Sequence, residues 1–205
     1  MIPAVVLAAG MSSRMGRDKA LLPIPGGTWF LSRLVSTFMA GGCSEVVAVV
    51  GAAEEAVRAA IARDRLPIHL LRNPDPSRGQ LSSLHVALDW LAERTPRALV
   101  MAPVDLPLIA PATVREVIEA WLRSGLPIVR PSRGKRHGHP VLFDARVFPE
   151  LRAADVSTGA RAVVRAHAAE LCDVEIDDPG AYDDIDTPED YRRVFGLDLI
   201  ISPGA

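Results

Sequence analysis

One short stretch carries most of the chemistry that this chain offers. Gly10, Ser12, Ser13, Arg14, Gly16 and Lys19 follow an apolar run, Ala4–Ala9, that reads as a buried parallel strand. The two glycines let the backbone turn where a Cβ would clash, so peptide N–H groups can converge on one anion. The serines add hydroxyl donors, Arg14 a planar fork of donors and Lys19 a mobile point charge. Together these groups suit a polyphosphate held at the carboxyl end of a sheet. The stretch is not a Walker A loop, because Gly16 is followed by Arg17 and Asp18, and no Gly-x-Gly-x-x-Gly follows the strand. The plain alternative is a solvated basic loop.

Two acidic positions answer this basic one. Asp105 follows the apolar run Arg97–Ala102, where α/β sheets bind ligands. A carboxylate facing a triphosphate repels it unless a cation stands between them, so Asp105 reads as a Mg2+ ligand. The alternative is a turn or cap aspartate ahead of the helix that begins near Pro111. Further on, Asp184 and Asp186 project to one side of an extended segment while Ile185 points inward. Thr187, Pro188, Glu189 and Asp190 make an ordinary helix start, which leaves Asp186 without a structural explanation.

The stretch Asn73–Leu84 is the third candidate. Gly79 loosens it, and Ser82 and Ser83 open a helix through Leu91 whose first N–H groups suit an anion or a base edge. A basic turn over 132–138 could meet a second anionic substrate or simply be solvated. His137 and His139 would share a strand face, but neither a Cys nor a third His is placed to complete a zinc site.

Elements must hold these groups together. Phe30, Leu31, Leu34, Val35 and Phe38 keep helical spacing after Thr28, a candidate cap. Glu45–Val50 reads as a second buried strand, 53–63 as a helix and Ile68–Leu71 as a third strand. Helix 112–123, with Trp121 as a packing residue, strand Ile128–Pro131 and strand His139–Phe143 follow. The alternation predicts an α/β fold with a mostly parallel sheet and right-handed crossovers.

The chain has 205 residues, enough for one full core without requiring two. A net charge of −2 gives no footprint for nucleic acid, and no apolar run is long enough for a bilayer. Cys43 and Cys172 lack metal spacing and fit packing roles in a reducing cytoplasm, and no basic segment marks a leader.

The run from Leu7 through Gly16, with Lys19 and Leu21-Leu22-Pro23, resembles the opening signature of nucleotidyltransferases of the molybdenum-cofactor cytidylyl/guanylyltransferase type. Similarity continues through Asn73-Pro74, Gly79, Ser82-Ser83-Leu84, Asp105-Leu106-Pro107, Gly138-His139-Pro140-Val141 and Asp186-Thr187-Pro188, so it spans about 4–195. The resemblance implies a three-layer α/β/α Rossmann-like nucleotidyltransferase fold in one domain, with nucleotide-binding half 1–105, acceptor and metal half 106–196 and tail 197–205. It implies that Leu7, Ala8, Ala9, Gly10, Ser12, Ser13, Arg14, Lys19, Asn73, Gly79, Ser82 and Ser83 hold the nucleotide, with Arg14, Lys19 and Asp105 catalytic. Asp105 and Asp186 become the Mg2+ ligands, and Gly138, His139 and Arg161 meet the acceptor. Asp155–Arg165 departs from the family's spacing around Asp155, although Gly159 and Arg161 match.

The implied reaction moves CMP from CTP to the phosphate of molybdopterin, for delivery to a molybdoenzyme. CTP is favoured because the guanylyltransferase branch has Gly-Gly where this chain has Ala9-Gly10, and the Ala9 methyl narrows the base space. Other phosphate acceptors, or a nucleotide-binding delivery protein without activity, are the alternatives.

Overall fold

The computed structural model describes residues 1–10 and 14–199. The chain runs through β1 (Ala4–Ala8), β2 (Pro23–Ile24), β3 (Thr28–Trp29), α1 (Phe30–Ala40), β4 (Val46–Val50), α2 (Glu54–Asp64), β5 (His69–Arg72), α3 (Gln80–Leu91) and β6 (Ala98–Pro103). It continues through α4 (Pro111–Ser124), β7 (Ile128–Arg133), β8 (Arg136–His137), β9 (Val141–Asp144), α5 (Phe148–Ala153), α6 (Arg161–Ala166), β10 (Leu171–Glu175) and α7 (Pro188–Phe195).

The sheet order is β5-β4-β1-β6-β9-β7-β10, with β8 joined to β7. All neighbours along this path are parallel except β9, which runs antiparallel to both β6 and β7. The first strand is therefore central, and each of its residues is buried, as a strand covered on both faces must be. Its side chains alternate between two cores. Ala4, Val6 and Ala8 join Phe30, Phe38, Val117 and Tyr191 on the face covered by α1, α4 and α7, while Val5 and Leu7 join Leu84, Leu88 and Phe148 beneath α3 and α5. This is the three-layer α/β/α arrangement. No helix among the described residues is long and apolar enough to cross a membrane.

Several local expectations change. Thr28 does not cap α1; it lies in β3, and its hydroxyl donates to Ser32 Oγ at 3.2 Å. Helix α3 begins at Gln80 rather than at the serines. The expected strand at His139 starts two residues later, at Val141, because the His139 N–H donates to Ala181 O (2.8 Å), outside the ladder. His137 and His139 therefore do not share a strand. The edge strand β10 and the short helix α5 carry too few apolar residues in regular period to be read from sequence alone. Trp121 is buried as expected, and its Nε1–H donates to Asp144 (2.9 Å). Ile185 is fully buried, and Thr187 caps α7 in a reciprocal box with Asp190.

Candidate active site

The site is built at the carboxyl ends of β1 and β6. Val104 N–H donates to Leu7 O (3.0 Å), prolonging the contact between those strands and delivering Asp105 just beyond β6. From eighty residues downstream, Ile185 N–H donates to the Asp105 carbonyl (2.9 Å), so Asp186 arrives next to Asp105. Asp190 Oδ2 accepts from the N–H groups of Asp186 (3.2 Å) and Thr187 (3.0 Å), which holds the backbone around Asp186.

Arg14 and Lys19 of the basic stretch reach these acids. Met15 is fully buried and anchors that stretch, and Asp18 accepts from Ala20 N–H (2.8 Å) to start one helical turn over Lys19–Leu21. Ala20 and Leu22 are buried, so Lys19 is turned inward and its side chain is only 12% exposed. Lys19 Nζ lies 3.2 Å from Asp105 Oδ2 and also donates to Asp186 Oδ1. Arg14 Nη2 donates to Asp186 Oδ2 at 2.9 Å. Met11, Ser12 and Ser13, and with them two expected nucleotide ligands, fall outside the described residues.

The two acids respond oppositely to their surroundings. Burial pushes the Asp105 carboxyl above its usual range, with Lys19 opposing that rise. The hydrogen bond from Lys19 holds Asp186 below its usual range, aided by the Arg14 charge. Asp105 Oδ1 is buried and has no hydrogen-bond partner among the described residues. A buried, unpaired carboxylate oxygen is costly unless a cation meets it. Asp105 and Asp186, two hard oxygen donors bridged by an ammonium group, therefore fit a hard divalent ion. Among the described residues no group of three or more His, Cys, Asp or Glu side chains could hold a metal, so such an ion would complete its shell with substrate oxygens and water.

A cleft of about 370 Å³ opens from this cluster, walled by Leu7, Ala8, Ala9, Gly10, Gly79 and Ser83 in addition to the charged residues. Ala9 lines it. Gly51 packs behind: a Cβ there would lie 3.1 Å from both Ala9 O and Pro76 Cγ. Ser82 lies behind the lining, and Asn73 lines a neighbouring cavity that shares Ala9, Gly10 and Pro76 with the cleft. Asn73 Nδ2 donates to Ser82 Oγ (2.8 Å) and Ser83 Oγ (2.9 Å), and Ser82 Oγ donates back to Gly79 O (2.7 Å). This buried bracket sets the start of α3.

A second cavity, of about 620 Å³, adjoins the first and receives all three expected acceptor residues, Gly138, His139 and Arg161. Its floor is apolar, from Met101, Val141 and Phe143, and its rim carries Arg130, Arg161 and Arg165. Gly138 has no room for a side chain, since a Cβ would lie 2.5 Å from Ala181 O. Burial pushes the His139 imidazole down to about 4, with the Arg161 charge adding to the shift, so His139 is neutral at physiological pH. Asp155 instead makes a local turn, accepting from Ser157 N–H (2.8 Å). Sequence reasoning did not single out Gln80, Pro76 or Arg130, which line these cavities, and it gave no role to Asp184, whose charge reaches Asp105. Arg130 had no visible signal; Gln80 did, since it stands just after the glycine that opens a helix.

The pattern that defines the MobA-like NTP transferase domain matches residues 4–171. The chain belongs to that nucleotidyltransferase family. A Paenarthrobacter nicotinovorans protein described as nicotine blue oxidoreductase is 34% identical over 203 residues, 95% of this chain and 96% of its own. A probable molybdenum cofactor guanylyltransferase of Mycobacterium tuberculosis is 29% identical over 136 residues, 66% of this chain and 64% of its own. The crystal structure of Rv0371c from Mycobacterium tuberculosis superposes with a TM-score of 0.79 at 30% identity, covering 96% of this chain and 99% of that one. Its complex with manganese gives 0.73 at 28% identity, covering 95% and 98%.

Proposed function

We propose that this protein transfers CMP from CTP to the phosphate of a molybdopterin-type acceptor, releasing pyrophosphate. The observation that carries the reading is the Arg14–Asp186–Lys19–Asp105 cluster in the wall of a polar cleft that adjoins a second cavity with an apolar floor and a basic rim. Nucleotidyl transfer needs little covalent chemistry from the protein. An acceptor phosphate oxygen, already ionised at neutral pH, attacks the α-phosphorus. A new P–O bond forms, the bond to the bridging β-oxygen breaks, and pyrophosphate departs with that electron pair. The protein must hold the two anions in line and neutralise developing charge.

Lys19 and Arg14 would turn from the carboxylates to the triphosphate. Mg2+, held by Asp105 and Asp186, would offset negative charge on the departing pyrophosphate; the manganese complex of a similar structure supports a divalent ion here. Gly138, His139 and Arg161 would receive the acceptor, with charge met by arginine and a polar edge met by neutral imidazole.

The choice of CTP rests on the Ala9 methyl in the cleft wall. The names of the guanylyltransferase relatives favour GTP instead. The relative described as an oxidoreductase favours a third reading, redox chemistry in the same cavities. One assay separates them: pyrophosphate release from each NTP with and without molybdopterin, alongside reduction of nicotine blue with NADH or NADPH as the electron donor. CTP-selective release that requires molybdopterin supports the proposal. GTP-selective release overturns the base assignment, and nicotinamide oxidation without pyrophosphate release overturns the transferase reading.

A further inference from the structure

Among the described residues the two cavities share two lining residues, Gly79 and Gln80. Gly79 has φ 95° and presents no side chain; a Cβ there would be 3.5 Å from Val156 O. Gln80 is thus the one described side chain that borders both the nucleotide cleft and the acceptor cavity. It is exposed, stands at the first position of α3, and makes no side-chain hydrogen bond among the described residues. Its backbone is fixed from both sides. Gly79 N–H donates to Pro76 O (3.1 Å), Ser82 N–H donates to Gly79 O (3.1 Å), and the Asn73 bracket holds the next turn.

We infer that Gln80 is the residue that aligns the two substrates, its carboxamide N–H groups donating to the acceptor phosphate where that phosphate meets the nucleotide. This rests on the nucleotidyl-transfer reading above and adds a residue to it. The chemistry at that spot favours a neutral donor. Two anions must approach there, a carboxylate would repel both, and the cations are already supplied by Lys19 and Arg14 on one side and Arg161 on the other. An amide can donate to a phosphate oxygen without holding the product as a fixed cation would. The side chain also costs the fold nothing to change: an exposed first helical position tolerates Ala, and Glu there is favoured by the helix dipole.

The test compares wild type with Gln80→Ala and Gln80→Glu in the full chain. Nucleotide affinity is measured by calorimetry with CTP, GTP and Mg2+, and turnover by pyrophosphate release with molybdopterin and the preferred nucleotide. Loss of one hydrogen bond to a charged group predicts a roughly 10- to 100-fold fall in kcat/KM for the acceptor in Gln80→Ala. Gln80→Glu should fall further, although its helix is at least as stable, and the nucleotide Kd should stay within about twofold in Gln80→Ala. Wild-type turnover with an unchanged Gln80→Ala variant overturns the assignment while leaving the transferase reading intact. So does a Gln80→Glu variant more active than Gln80→Ala. A wild-type protein that releases no pyrophosphate overturns both.

Discussion

The Ile185 N–H donates to the carbonyl of Asp105 at 2.9 Å, and this one backbone bond brings together two acids that lie at positions 105 and 186. Ile185 is fully buried, so the bond sits over a packed side chain and Asp186 cannot swing far from Asp105. Lys19 then contacts both carboxylates.

Removing either acid should therefore stop the chemistry without unfolding the chain. Asp105→Ala and Asp186→Ala are each expected to lower kcat at least about 100-fold, the scale on which loss of one charge-stabilising group acts. Thermal unfolding should remain cooperative, and Mn2+ binding followed by electron paramagnetic resonance should weaken in both. Wild-type-like turnover and Mn2+ affinity in either variant would remove the metal assignment.

Base choice is predicted to depend on the methyl group of Ala9. Ala9→Gly widens the cleft and should raise kcat/KM for GTP relative to CTP by roughly 10-fold, the scale set by a methyl-sized difference in a pocket. An unchanged ratio would show that the base is selected elsewhere.

Acid should weaken the fold through His139. Its folded pKa is about 4, below the ordinary 6.5, so between those values the unfolded chain binds a proton that the folded chain does not. Stability is then full above pH 6.5 and falls as pH drops toward 4. In His139→Gln, which cannot take up that proton, the slope of denaturation midpoint against pH over this window should be shallower. Parallel slopes would mean that His139 is solvated in the folded state.

His167 predicts the opposite trend. Its side chain lies 2.8 Å from Glu150 and 3.4 Å from Glu170, and the hydrogen bond to Glu150 raises its pKa. The stability it contributes is present below pH 6.5 and lost as pH rises through the folded value. The deficit of His167→Ala relative to wild type should accordingly be visible at pH 5.5 and shrink by pH 8.5, read by urea denaturation.

The bracket behind the cleft is a stability element. Asn73→Ala removes the Nδ2 donor from two buried serine hydroxyls and should cost about 1–3 kcal/mol, measured by chemical denaturation. A loss below about 0.5 kcal/mol would mean that water replaces the amide.

What the sequence made legible was local. The all-apolar run Ala4–Ala9 and the cluster Gly10–Lys19 announced a central strand and an anion loop, because burial and glycine-rich turn chemistry are written in adjacent residues. Asp186 could be flagged as an acid lacking a simple structural job, and Asp105 as a carboxylate at the end of an apolar run with a turn or cap role as its alternative. The inversion of β9 could not be read, since Val141–Phe143 is apolar whichever way it runs and only pairing with Leu99 and Met101 sets its direction. Arg130 escaped for a related reason: it lines a cavity whose other walls come from far along the chain. The family pattern ends at residue 171, so Asp186 also lies beyond the part of the chain that it matches.

The antiparallel placement of β9 has a consequence during synthesis on the ribosome. Strands β1, β4, β5 and β6 can all pair as soon as Pro103 emerges, yet β6 then borders nothing on its outer side until Val141–Asp144 is made. At translation rates of about 5–20 residues per second, that edge, which the finished fold buries from Ala98 to Ala102, waits seconds for its cover. Nascent chains stalled between β6 and β9 should therefore be the ones most dependent on chaperones.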